Sequence, residues 1–186
     1  FIAAVKDATA KQGKADRRSV LIHSQTIRDD QLDQLKALDI IPSFFSLHTY
    51  YWGDWHRQQT LGEMRAAHIS PTATALKKNL IFTEHHDAPV VPPHSMMMLD
   101  ATVNRVTRSD YVLGADERIS PYLALKSMTD WAAYQYFEDQ YKGTLKQGKL
   151  ADLVILDKNP LTVPSREIKK IKVLATYKEG KLIYQQ

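Results

Sequence analysis

Ser19-Val20-Leu21-Ile22-His23 is the stretch on which the reading of this chain turns. It is a short, β-branched, continuously apolar run that closes on an imidazole. Such a run does not alternate polar and apolar residues, so it reads as a strand buried on both faces, as in a parallel sheet. Arg28 to Leu38 follows, with Leu32, Leu35 and Leu38 at three-residue intervals among Asp, Gln and Lys, which predicts an amphipathic helix. Ile40-Ile41-Pro42-Ser43-Phe44-Phe45-Ser46-Leu47 predicts a second strand that runs up to His48, with Pro42 tolerated only near its start. A short strand is expected near Ala67-His68-Ile69, and Ser70-Pro71 predicts the capped start of a helix reaching Lys78. Leu80-Ile81-Phe82-Thr83 is the next strand, and it leads into Glu84-His85-His86-Asp87. Strands alternating with helices are the pattern of parallel βα units, so the fold class is α/β.

Further along, helices are expected over His94 to Arg108 and over Ser120 to Phe137, the second opened by a Ser-Pro pair. The character changes at Gly143. Gly148 to Asp157 contains a strand closed by Asn159-Pro160, and two strands, Ile171 to Tyr177 and Lys181 to Tyr184, flank Glu179-Gly180 as a hairpin. The boundary expected near Gly143 divides the chain into residues 1–142 and a small antiparallel β portion, 143–186. Met96-Met97-Met98 falls on the first of those helices, where it reads as core filling.

Composition narrows the function classes. The 186 residues are 44% hydrophobic and 25% charged, values of an ordinary globular domain rather than a disordered or fibrous chain. With no cysteine there is no disulfide scaffold, zinc finger, iron–sulfur centre or thiol nucleophile, so any metal must be held by nitrogen and oxygen. The net charge of +4 is spread along the chain, which argues against a nucleic-acid partner. No apolar run approaches the ~20 residues of a membrane span, and the first residues lack a signal-peptide pattern, leaving cytoplasm and periplasm equally open. The chain opens at Phe1 inside a helix-like stretch with no start signal, so it reads as a piece of something longer.

Three polar residues, His23, His48 and Asp87, fall at or just after the predicted ends of three parallel strands. Strand C-termini and the loops after them are where parallel α/β folds build their sites. Two imidazoles and a carboxylate meeting there suit zinc or a similar divalent ion with a position left for water. Against this stands the plainer reading that a histidine at a strand end is more often a hydrogen-bonded structural residue, and that Asp87 before Ala88-Pro89 only caps a turn. His85 and His86 are neighbours on extended backbone and point to opposite sides, so at most one of them joins Asp87. Tyr50-Tyr51-Trp52-Gly53-Asp54-Trp55-His56 reads as a loop rich in aromatic and ionisable groups, either packed on its own domain or walling a pocket.

Gly143-Thr144-Leu145-Lys146-Gln147-Gly148-Lys149-Leu150-Ala151-Asp152-Leu153-Val154-Ile155-Leu156-Asp157-Lys158-Asn159-Pro160 is similar to the C-terminal signature of the amidohydrolase superfamily. Leu21-Ile22-His23-Ser24-Gln25 resembles that family's strand-five histidine motif, Phe44 to Asp54 its strand-six segment, and His86-Asp87-Ala88-Pro89-Val90 its strand-eight aspartate motif. Together they resemble the amidohydrolase-3 branch, which includes N-substituted formamide deformylases. The resemblance implies the C-terminal half of a (β/α)8 TIM-type barrel with part of a small β-sandwich. It implies a hydrolase of C–N bonds in non-peptide amides, formamides or cyclic amides, acting through a metal-activated water on a small-molecule amide.

By matching position, His23, His48 and Asp87 would hold the ion, most simply zinc. Asp87 would also act as general base and then hand its proton to the leaving nitrogen. Trp52, His56 and His86 would contact substrate. The family's strand-one His-x-His pair has no counterpart here, and its strand-four ligand would lie before residue 1. The missing N-terminal half of the barrel is therefore an expected partner. The fragment alone would be inactive and would expose strand edges that invite association, including homo-oligomerisation. The competing reading is a non-catalytic half-barrel that serves in assembly or ligand binding. A phosphate-binding barrel is disfavoured because no Gly-rich loop precedes a helix.

Overall fold

The computed structural model describes all 186 residues. Val20–His23 (β1), Ile41–Phe44 (β2) and Thr83–Glu84 (β3) form a parallel sheet in the order β1-β2-β3. The register pairs His23 with Phe44 and Phe44 with Glu84, so the three strands end level. Pro42 lies inside β2, opposite Leu21, and its missing N–H costs no ladder bond. Ile41 N–H donates to Ser19 O at 2.8 Å, so the next residue turns its nitrogen toward β3, whose pairing begins only opposite Ser43.

Helices cover the sheet. They are α1 (Ile2–Gln12), α2 (Asp29–Ala37), α3 (Leu47–Trp55), α4 (Glu63–Ala67), α5 (Thr72–Lys77), α6 (Ser95–Asn104), α7 (Pro121–Met128) and α8 (Asp130–Gln135). The main core joins Leu32 and Leu35 of α2, Phe44 of β2, Phe82 before β3, and Met96, Leu99 and Val103 of α6. Phe82 is its aromatic centre, edge-on to Phe44 at 5.3 Å and to Trp131 of α8 at 5.4 Å between ring centroids. A second sheet, antiparallel, follows: β4 (Leu153–Leu156), β5 (Val173–Lys178) and β6 (Lys181–Gln185). The expected hairpin around Glu179-Gly180 joins β5 to β6. An apolar cleft of about 650 Å³ separates α7 and α8 from β4 and β5, with Gly143 on its wall. No helix is long and apolar enough to cross a membrane.

Several local expectations are corrected. The second strand stops at Phe44, and Leu47 already belongs to α3, so Tyr50 to Trp55 are helical rather than a loop. Ala67-His68-Ile69 is the end of α4 and the turn after it, not a strand. The helix expected over Ser120 to Phe137 is two, α7 and α8, broken at Thr129, whose hydroxyl bonds back to Leu125 O at 2.8 Å.

Ser70 does not cap α5. Its φ of 47° turns the chain instead, and the cap comes from a residue distant in sequence. The Glu117 carboxylate accepts from Thr74 N–H at 2.9 Å and from Thr74 Oγ1 at 2.5 Å, while Thr72 Oγ1 donates to Glu117 O at 2.7 Å. A buried acid at a helix start both satisfies free N–H groups and meets the positive end of the helix dipole. The adjoining turn is held by Arg105, a fully buried side chain that donates to Leu113 O at 2.9 Å, Ser70 O at 3.1 Å and Ile69 O at 2.7 Å. Gly114, at φ 68°, passes so near this turn that a Cβ would lie 1.8 Å from Ala67 O, so no other residue fits there.

The Glu117 cap predicts an acid limb in stability. Burial works to raise its carboxyl, but the His68 ion pair and the Thr74 hydrogen bonds prevail and hold it at about 2, below the ordinary 4.5. Because the folded value is the lower one, the contribution is complete above about pH 4.5 and is lost as pH falls toward 2. Urea unfolding at a series of pH values should show this loss, on the order of 3 kcal/mol. Glu117→Gln should be less stable at neutral pH and should lose that part of the acid dependence.

Candidate metal centre

His23 is the last residue of β1, and there the chain leaves the sheet abruptly. His23 (φ 65°) and Ser24 (φ 44°) are both left-handed, Ser24 N–H donates to Ile22 O at 2.9 Å, and Ser24 Oγ donates to Leu21 O at 2.9 Å. Beyond β3, His85 N–H donates to Phe44 O at 3.0 Å, and Asp87 turns the chain at φ 57°. Non-glycine residues in this region are uncommon and gather where a site constrains the backbone. The result is a contact between residues 64 apart: His23 Nε2 lies 3.2 Å from Asp87 Oδ2, with side chains 44% and 35% exposed.

His85 completes a cluster with them. One ligand atom each from His23, His85 and Asp87 lies within 4.8 Å of the other two. His85 and Asp87, two residues apart just beyond the end of β3, both contribute to the cluster. His86, the expected substrate contact, contributes no atom to this group, and its Nε2 is buried without a partner.

His48 stands at the edge of the cluster. It occupies the first turn of α3 rather than a strand end, its ring centroid 5.8 Å from that of His23. Phe45 lies among the three imidazoles, with centroids 4.4 Å from His48, 5.6 Å from His85 and 6.3 Å from His23, and is fully buried. Trp52 and His56, one and two turns further along, approach the His48 ring at 5.8 and 6.3 Å. Gln25 donates its amide to His56 Nε2 at 3.0 Å, which leaves His56 Nδ1–H for Thr60 Oγ1 at 3.2 Å. Both nitrogens of His56 are therefore engaged within the protein.

Burial, reinforced by the neighbouring imidazoles His23, His56 and His85, pushes His48 down to about 4. Burial and His23 do the same for His85, also to about 4, against the opposing pull of Asp87. Both rings are neutral at neutral pH and keep a lone pair, the form in which histidine binds a metal. His48 Nδ1 and His85 Nε2 are buried and make no hydrogen bond. Neutral imidazoles with unmet nitrogens beside a carboxylate fit a nitrogen/oxygen-coordinated divalent ion.

Next to the cluster in sequence lies Glu84, the buried last residue of β3. Its carboxylate accepts from Ser46 N–H at 3.1 Å and from Ser46 Oγ at 2.5 Å. Burial raises it to about 7 in spite of these bonds. This pair locks the end of β3 to the turn that starts α3, and so sets His85 and Asp87 against His48.

A family model described as the amidohydrolase family matches residues 1–184. The chain belongs to that family. Among the relatives of this amidohydrolase-family chain is the Arabidopsis thaliana protein LONG AFTER FAR-RED 3, 31% identical over 181 residues that cover 96% of this chain and 31% of that protein. Another is the N-substituted formamide deformylase of Arthrobacter pascens, 23% identical over 180 residues, covering 97% of this chain and 33% of the enzyme. These place it in the amidohydrolase-3 branch, as the motifs implied. A metal-dependent hydrolase from Pyrococcus horikoshii superposes with a TM-score of 0.72 at 27% identity, over 87% of this chain and 32% of that one. The chain thus spans about a third of the length of the relatives it matches.

Ser46→Ala removes the hydroxyl that meets the buried Glu84 carboxylate and leaves Oε1 unpaired. Chemical denaturation should show a loss of about 1–3 kcal/mol relative to the parent chain.

Proposed function

We propose that this chain is the C-terminal half of a (β/α)8 barrel, residues 1–142, followed by strands of a β-sandwich, residues 143–186, in a metal-dependent hydrolase that cleaves C–N bonds of non-peptide amides, formamides or cyclic amides. The observation that carries this reading is the His23 Nε2–Asp87 Oδ2 approach of 3.2 Å at the level ends of parallel strands. Family membership supports hydrolysis, and the relative that cleaves substituted formamides supports the bond class.

His23, His48 and Asp87 would hold the ion, with zinc the best match to a nitrogen and oxygen donor set that lacks sulfur. A divalent ion bound there supplies Lewis acidity, polarising the substrate carbonyl and bringing the pKa of water from 15.7 to about 7. Asp87 does the proton work. Its carboxylate takes a proton from the water whose oxygen bonds to the carbonyl carbon, and it delivers that proton to the nitrogen as the C–N bond breaks, leaving an amine and a carboxylic acid. Phe45 forms a dry wall against the imidazoles, which strengthens every charge interaction beside it. Trp52 of α3, His56 just after that helix, and His86 on the segment after β3 would border the acyl or amine group.

The test uses the full-length protein supplied with zinc and assayed on a panel of N-formyl and N-acyl amines. Hydrolysis of at least one member is expected. Asp87→Asn should keep the fold, judged by circular dichroism and unfolding midpoint, and lose about 10²–10⁴-fold in kcat. Undiminished turnover in that variant would remove Asp87 from the chemistry.

A further inference from the structure

We propose that His85 is a further metal ligand, so that His23, His85 and Asp87 form a three-point divalent-cation site within this chain, with His48 beside it. This deepens the reading above and rests on its premise that an ion sits at His23 and Asp87.

The geometry comes first. A tetrahedral ion with bonds of about 2.1 Å needs its ligand atoms about 3.4 Å apart. His23 and Asp87 already meet that spacing at 3.2 Å, and His85 completes a triangle with no side longer than 4.8 Å. No ligand atom of His48 belongs to a triangle of this size, although its ring is close by.

The backbone supports the same assignment. His85 N–H is tied to Phe44 O at 3.0 Å, so the Cβ of His85 is set by the ladder and not by a mobile loop. Asp87, two residues on, brings its carboxylate to the same cluster, to which His86 contributes no atom.

The hydrogen bonding of the ring points the same way. Ser43 lies buried in β2, and its Oγ is 3.0 Å from His85 Nδ1. With Nδ1–H donating to that hydroxyl, the lone pair resides on Nε2, which is buried and has no partner. A ring nitrogen anchored to a neighbouring oxygen, with the other nitrogen left for the ion, is the usual arrangement of a metal-bound histidine. Ser43 is then a positioning residue for His85.

The experiment is metal binding by the full-length protein, with zinc in equilibrium dialysis and with cobalt(II) followed by its visible absorption. One equivalent is expected. His85→Ala and the milder His85→Gln should each weaken zinc binding at least tenfold and change the cobalt spectrum, with unchanged circular dichroism and urea midpoint in the metal-free state. His48→Ala should weaken binding less than either. Ser43→Ala should give an intermediate loss. In the parent chain, side-chain nitrogen NMR should show the His85 Nε2 resonance moving on zinc addition, a readout that no misfolded variant can mimic. An ion bound with full affinity by both His85 variants, or a His85 Nε2 resonance indifferent to zinc, overturns this proposal and leaves the hydrolase reading standing. Absence of any bound ion in the full-length protein overturns both.

Discussion

The arrangement depends first on register. Parallel pairing sets neighbouring strands about 4.8 Å apart, and here His23, Phe44 and Glu84 lie opposite one another. Whatever leaves the sheet next must do so within one small area. His23 is the exit residue of β1, His85 and Asp87 follow β3 directly, and His48 comes from the helix after β2. Were one strand to slip by a single residue, every side chain on it would change face, and the imidazoles would separate. The core packing of Phe44 and Phe82 is what prevents that slip.

Buried polar groups then convert approximate placement into a rigid one. Glu84, Glu117 and Arg105 are each withdrawn from water, where an unmatched group is costly. Each is met by donors or acceptors from segments far away in sequence: Glu84 by Ser46, Glu117 by Thr74 and His68, Arg105 by carbonyls of the turn before α5 and of Leu113. These contacts tie together the loops at the sheet's end, which the short β3 alone does not do.

Much of this was legible in the chain of letters, and the exceptions have physical reasons. The apolar runs before His23 and Asp87 announced parallel strands by their lack of polar alternation, although Ile22 of β1 is exposed rather than buried and β3 is only Thr83–Glu84, and the family was read correctly. The aromatic segment Tyr50 to Trp55 looked like a loop because its side chains are large on nearly all sides of the helix, so it carries no amphipathic stripe. The true cap of α5 was invisible, since Glu117 lies 43 residues from Thr74 and only tertiary structure joins them. Of the adjacent histidines, parity allowed one to accompany Asp87 without saying which. The choice follows from the turn at Asp87 and from the ladder bond at His85, both three-dimensional facts. Phe45, which lies among the imidazoles, gave no sign in sequence beyond being one apolar residue in a run.

The left-handed conformations at His23 and Asp87 narrow what descent can do at these positions. Aside from glycine, the residue types that accept such dihedrals most readily are asparagine, aspartate and histidine. The coordination proposed for these two residues would remove glycine and asparagine from that short alphabet. Backbone and chemistry thus act as two independent filters on the same codons, and they pass the same two letters. Drift at either position through glutamate or a β-branched intermediate would meet a conformational barrier before any question of catalysis arose, so each position is held in place twice over.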